Sequence, residues 1–289
     1  MLNKLLNAIT KKQPHSRIVF ERTGDTISGL PKGIFTISPD GSDCRQIRAS
    51  GDSPKWSPDG RWIAFVEQTQ DNGWVHSVFV MKPDGQNVRR LTFHHDVTAT
   101  PGAWSPDSKR LAYSLWLWQD KKYQLRVLDL ETAQSKDVLD SESEIYSMWA
   151  PSNKIVFRQF GKSGGPRLFE VNSDGQGFQP CPMFEPGDDE PVWMFDGSKL
   201  VFGSNEGMVV MNGDASNRRI ISSPRGAIQW AMSPDGQSVV YSSSRETSNS
   251  GFEVFIVDLK DESKRKLVGN PMNGDKEVDS RCVSWSPWL

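Results

Sequence analysis

A short phrase, an aromatic residue followed by Ser-Pro-Asp-Gly and then by an aliphatic-aromatic run, returns at near-even intervals along this chain. Trp56-Ser57-Pro58-Asp59-Gly60 leads into Ile63-Ala64-Phe65, and Trp104-Ser105-Pro106-Asp107-Ser108 leads into Leu111-Ala112-Tyr113. Trp149-Ala150-Pro151 precedes Ile155-Val156-Phe157, and Trp193-Met194-Phe195-Asp196-Gly197 precedes Leu200-Val201-Phe202. Met232-Ser233-Pro234-Asp235-Gly236 precedes Val239-Val240-Tyr241, and a sixth copy opens at Trp285-Ser286-Pro287. The intervals are 48, 45, 44, 39 and 53 residues, the period of one small sheet in a repeating array. No chain with this pattern can fold around a single helix bundle or one continuous sheet.

Each copy reads as four short strands, A to D, from its period-2 apolar runs and turn residues. In the first complete copy, strand A ends at Trp56, strand B covers 62–66, strand C covers 78–81 and strand D covers 89–92. Pro sets φ in the connecting turns, Asp can accept backbone N–H bonds, and Gly accepts positive φ. The sixth copy lacks its second half, while Arg17-Ile18-Val19-Phe20 is a strand B with no Trp-Ser-Pro turn before it. Joining the two gives an interval of about 45 residues, like the others. Six four-stranded units therefore predict an all-β, six-bladed β-propeller closed by N-terminal strands joining the C-terminal strand. Such closure removes the two sheet edges that an open array would leave.

On these repeats, residues 17–289 resemble the TolB family of six-bladed propellers, whose blades carry the Trp-Ser-Pro-Asp-Gly turn and an Ile-Ala-Phe strand. The same repeat occurs in the tricorn protease propeller and in some lyases and peptidases. The resemblance implies a rigid ring that serves as a binding scaffold. TolB proper also carries a signal peptide and an extra N-terminal α/β domain, and the sequence shows neither. A cytoplasmic location is therefore expected, with the periplasm as the alternative.

Charge and cysteine content narrow the partners. The net charge is -2, from 34 Lys plus Arg against 36 Asp plus Glu, which argues against a general nucleic-acid binder. No run of about 18 apolar residues exists to span a bilayer. Cys44, Cys181 and Cys282 are odd in number and widely spaced, so no disulfide framework is implied. Residues 1–16 form a separate extension. Within it Leu2, Leu5, Leu6 and Ile9 recur at helical spacing before Pro14, which predicts a short amphipathic helix. That helix either packs on its own domain or serves, through residues 1–13, in docking to a partner or a membrane surface.

Consecutive antiparallel strands reverse direction, so A–B and C–D turns share one face of the disc and B–C and D–A loops share the other. The first set is tight and stereotyped. The second is long and irregular, and variable loops on a rigid scaffold are where binding concentrates. The D–A loops rim the channel with acids that include Glu144, Asp188, Asp189, Glu190 and Asp279, a field suited to a cationic partner. The periodic Trp56, Trp104, Trp149, Trp193 and Trp285 read as wedges between blades, whereas Trp74, Trp116 and Trp118 break the period beside B–C loops. Exposed indoles there would be natural anchors for a partner.

Catalytic signatures are weak. The Gly-x-Ser-x-Gly spacing occurs once, at 161–165, in a loop that leaves a β-strand, and no α/β segment follows to house a peptidase site. Gly161-Lys162-Ser163 ends like a phosphate loop, but Val156 stands where the motif needs Gly. His76, His94 and His95, with Asp96, fall on one blade and face; they could hold a metal, yet they read more simply as solvated loop residues. The expected function is thus a non-catalytic interaction module that presents an acidic, loop-rich face to a protein with a basic segment, with no cofactor, metal or catalytic residue assigned. The alternative is a small-molecule or metal-dependent enzyme with its site in the central channel.

Overall fold

A computed structural model describes residues 16–23, 31–69, 75–93, 97–160, 166–221, 227–244, 252–268 and 280–287. The expected N-terminal helix, together with Trp74, His94, His95, Asp96 and Asp279, lies outside these residues. The described secondary structure comprises six antiparallel sheets of four strands each. From the innermost strand outward, blade 2 is Asp52–Trp56, Ile63–Thr69, Val75–Met81 and Arg89–Arg90. Blade 3 is Val97–Trp104, Arg110–Leu117, Lys122–Asp129 and Ser135–Ser141. Blade 4 is Ser147–Trp149, Lys154–Phe160, Pro166–Asn172 and Gln179–Pro180. Blade 5 is Asp189–Trp193, Lys199–Ser204, Gly207–Asn212 and Arg219–Ile221, and blade 6 is Ala227–Met232, Ser238–Ser243, Glu253–Asp258 and Lys264–Val268.

Blade 1 is assembled from both ends of the chain. Ser280–Trp285 pairs with Ile18–Arg22, which is followed outward by Gly33–Ile37 and Arg45–Arg48. The joint reproduces the bonding of an unbroken turn. In blade 2 the Ser57 N–H donates to Trp62 O at 2.9 Å and the Trp62 N–H donates to Ser57 Oγ at 3.0 Å. In blade 1 the Ser286 N–H donates to Arg17 O and the Arg17 N–H donates to Ser286 Oγ, both at 2.8 Å. Arg17 thus stands where Trp62 stands, although 269 residues separate it from Ser286. Each innermost strand also touches the innermost strands of its two neighbours, around the whole ring.

Period-2 alternation sends side chains of one strand into two different layers, since successive Cβ atoms point to opposite faces. Ile63 and Phe65 pack toward blade 1 with Val19 and Ile34, while Ala64 and Val66 pack toward blade 3 with Leu111 and Tyr113. Ile18 and Phe20 of the clasp meet Val240 and Ile256 of blade 6. The core is therefore a set of inter-blade layers, and a fully buried Phe or Ile in one is worth roughly 1.5–3 kcal/mol. Strand D is shorter than the sequence implies in blade 2, ending at Arg90. There Thr92 Oγ1 takes the Val78 N–H at 2.9 Å, which stands in for a ladder bond. The B–C connection of blade 3 is short, because its flanking strands run on to Leu117 and back from Lys122.

Candidate functional site: the two mouths of the channel

The Ser-Pro-Asp-Gly turns close one end of the channel. In blade 2 the Ser57 hydroxyl donates to Asp59 Oδ1 at 2.7 Å, and the same oxygen accepts the Arg61 N–H at 3.0 Å. Ser105 with Asp107 and Ser233 with Asp235 repeat this arrangement. The position after Asp needs positive φ, which Gly60, Gly197 and Gly236 adopt without cost and which Ser108 adopts at 59°. Ser108 offsets part of that strain by accepting the Asp59 N–H of the adjacent blade at 3.0 Å. These turns hold Pro58, Pro106, Pro151, Pro234 and Pro287 around a cup of about 400 Å³, floored by the ends of the innermost strands. Phe195 replaces the sixth proline and is 39% exposed.

Wedge residues close the cup wall. Trp56, Trp104, Trp149 and Trp285 are buried between blades, as their periodicity implied. In blade 6 the repeat position holds Met232, and Trp230, two residues earlier on the same side of the strand, also lines the wall. Its indole N–H donates to Glu190 O of blade 5 at 2.8 Å. Glu190 is free to accept because a bulge leaves it outside the ladder between Asp189 and Val192. Ser53 and Gln229 fall in corresponding bulges, and all three have φ near +50°. Sequence reasoning missed both the bulges and the shifted Trp. The alternation of Trp230 with Met232 was the available signal.

The opposite mouth is built from ion pairs. Asp188 is 2% exposed and accepts two bonds from Arg218, at 3.0 and 2.9 Å. Asp189 accepts from Arg158 Nη1 at 2.6 Å, and Glu190 lies 3.9 Å from the same nitrogen. Burial pushes the Glu190 carboxyl above its ordinary value, the Asp189 charge adds to the rise, and Arg158 and Lys55 oppose it. The three consecutive acids thus have internal cations. The Arg158 guanidinium also lies 4.3 Å over the Tyr146 ring. Asp140 sits below the usual carboxylate range because the Lys122 ammonium and the Gln124 amide donate to it.

Aromatic residues expected at this face form a cluster on blade 3. Trp118 is 58% exposed and meets Trp116 edge-on at 6.0 Å, and Trp116 lies 4.6 Å from the Tyr123 ring across the hairpin. Glu144 is half-buried beside them, and its charge acts on both Tyr123 and Tyr146. Burial is the larger effect on Tyr146, whose phenol is pushed up to about 12. His76 lies within Val75–Met81 of blade 2, half-buried. Among the described residues no group of three or more His, Cys, Asp or Glu side chains is placed to hold a metal ion. Among them, too, no helix is long and apolar enough to cross a membrane.

Known proteins share this ring. The crystal structure of TolB from Acinetobacter baumannii superposes with a TM-score of 0.75 at 17% identity, covering 98% of this chain and 70% of that one. Kuenenia stuttgartiensis hydrazine synthase gives 0.70 at 12% identity, covering 95% of this chain and 47% of that one. An oligogalacturonate lyase in complex with manganese gives 0.57 at 13% identity, covering 86% and 74%. These likenesses concern the fold. In sequence, the chain is 37% identical over 75 residues to the Tol-Pal system protein TolB 1 of Novosphingobium aromaticivorans, a match that spans 25% of this chain and only 16% of that protein. The family model for the TolB beta propeller domain matches residues 15–289. The chain belongs to the TolB β-propeller family.

Proposed function

We propose that this propeller is a non-catalytic interaction module whose loop-rich face engages a protein partner through a basic segment. The aromatic cluster of blade 3 carries the reading: an indole left 58% exposed at Trp118 stands on a rigid hairpin with Glu144 close by. A Lys or Arg side chain can lie over an indole face while pairing with a neighbouring carboxylate, and exposed Trp anchors dominate many interfaces. Glu142, exposed on the same D–A connection, extends the acidic edge. Asp188, Asp189 and Glu190 serve this reading as a braced floor, because Arg218 and Arg158 already engage them. Trp74 and Asp279 belong to the same proposed face by their place in the repeat. The name of one relative places that protein in the Tol-Pal system, which is compatible with such a surface, and a cytoplasmic location remains part of the proposal.

Affinity capture tests it, with the full chain and its Trp118→Ala/Glu144→Lys variant as paired baits at low ionic strength. A basic protein retained by the wild type should be lost by the variant and released as salt rises, since charge pairing at a surface is screened. The variant should melt as the wild type does, because Trp118 is largely solvated. Retention of the same proteins by both baits would remove this face from consideration.

A further inference from the structure

We infer that the apolar cup at the Ser-Pro-Asp-Gly end of the channel is a ligand site for an amphiphilic carboxylate, a single carboxylate group on an apolar chain. The inference is independent of the partner surface above, which lies at the other end of the ring. The volume, about 400 Å³, is within the range of small-molecule pockets. The wall is a ring of prolines with Phe195, Met148, Met194 and the wedge indoles behind. Such a wall rewards an alkyl or aryl body, and it offers little to a sugar or a polyphosphate.

One cation defines the polar end. Lys55 lines the cup and has no carboxylate within ion-pair distance among the described residues. Its charge is felt by Glu190 in blade 5, the blade diametrically opposite, so the ammonium acts within the lumen. Trp56, the next residue, also lines the cup, but its indole nitrogen is enclosed, without an acceptor among the described residues, and offers no donor to the lumen. Four other wall indoles donate within the ring: Trp104 to Lys55 O at 3.1 Å, Trp149 to Asn153 Oδ1 at 3.2 Å, Trp230 to Glu190 O at 2.8 Å and Trp285 to Ser16 Oγ at 3.0 Å. A single ammonium suits a carboxylate; phosphate recognition favours several cations or a bidentate Arg. The rim acid Asp196 is turned to its own loop, where it accepts the Ser198 N–H at 2.9 Å and hydroxyl at 2.8 Å.

The test titrates the full chain with decanoate, decanol and decyltrimethylammonium below their micelle-forming concentrations, by calorimetry and by the fluorescence of the wall indoles. Decanoate should bind saturably at one per chain, at least about 10-fold tighter than the other two, the discrimination of one charge-assisted contact. Lys55→Met should bring decanoate down to the affinity of decanol and leave decanol unchanged. Equal binding of decanoate and decanol by the wild type would overturn the inference without any variant. So would an undiminished preference in Lys55→Met. Decanoate binding that appears only after deletion of residues 1–13 would assign the cup to that segment and overturn it as well.

Discussion

The two mouths of one channel are built by opposite means. At the turn side, repetition does the work: the same Pro and Trp positions in successive blades converge on a cup of apolar wall. At the loop side, departures from the repeat do the work: Arg158 and Arg218 each reach acids 30 or 31 residues away on blade 5, and Trp118 stands out of the ring. A six-fold array can make an apolar funnel cheaply, because one favourable packing solution is copied around the axis. It cannot make a specific charged surface that way, since copied charges repel one another across the lumen. The loop side therefore depends on individual cation–carboxylate pairs, and it should respond to charge and pH where the turn side responds to packing.

The largest effect expected from breaking this contrast comes from the clasp, which contributes to both mouths. Truncation before Val283 removes Val283 and Trp285, buried in the layer between blades 1 and 6, and leaves Ile18–Arg22 as a bare edge. The truncated chain should be insoluble or lose its cooperative melt; an unchanged melting temperature would show that the ring does not need its C-terminal strand.

Asp188→Asn is next, and it acts on the loop side alone. It removes the charge that a partly exposed Arg218 pairs with inside the blade 4–5 corner. Urea denaturation should show a loss of about 2 kcal/mol, below the roughly 3–5 kcal/mol of a fully buried pair broken on one side, because Arg218 keeps some access to water. The cup should be unaffected, so decanoate titration of the same variant separates the two mouths. A loss of decanoate affinity here would mean that they are coupled.

The smallest effect is a gain. Burial raises the folded-state pKa of Glu190 above its unfolded value, so between the two values the folded chain binds more protons than the unfolded one. Stability then falls as pH rises through that window, and the cost is fully present above the folded pKa. Glu190→Gln should raise the melting temperature slightly at pH 7, with the advantage fading as pH falls toward the ordinary glutamate value of about 4.3. A gain of equal size at both pH values would mean that packing, and not the charge, limits this position.

Much of the fold was legible because the signals are local. Trp285-Ser286-Pro287 without a following strand, and Arg17-Ile18-Val19-Phe20 without a preceding turn, point to the clasp before any coordinate is known. The bonds between Ser286 and Arg17 then follow from a turn whose chemistry is repeated elsewhere in the chain. The acids of 188–190 show the opposite case. Sequence reading places them on a channel rim and treats them as a free field, whereas Arg218 at the outer strand of blade 5 and Arg158 of blade 4 already pair with them. No spacing rule links Asp188 to Arg218, because the contact depends on how the strands of one blade come to lie beside a D–A connection. The cup was open to the sequence in principle, since all the turn prolines fall on one face.

What the sequence by itself determined is the number of blades, the strand order within each and the closure, since turn chemistry and period-2 alternation act over a few residues and are copied six times. Only the tertiary structure decided which charges cancel, which bulges open a carbonyl such as that of Glu190, and that the Lys55 ammonium acts within the lumen. Those outcomes depend on distances between side chains far apart in the chain. Electrostatics and hydrogen bonding vary steeply over an ångström, whereas the hydrophobic pattern that builds the ring tolerates shifts of that size.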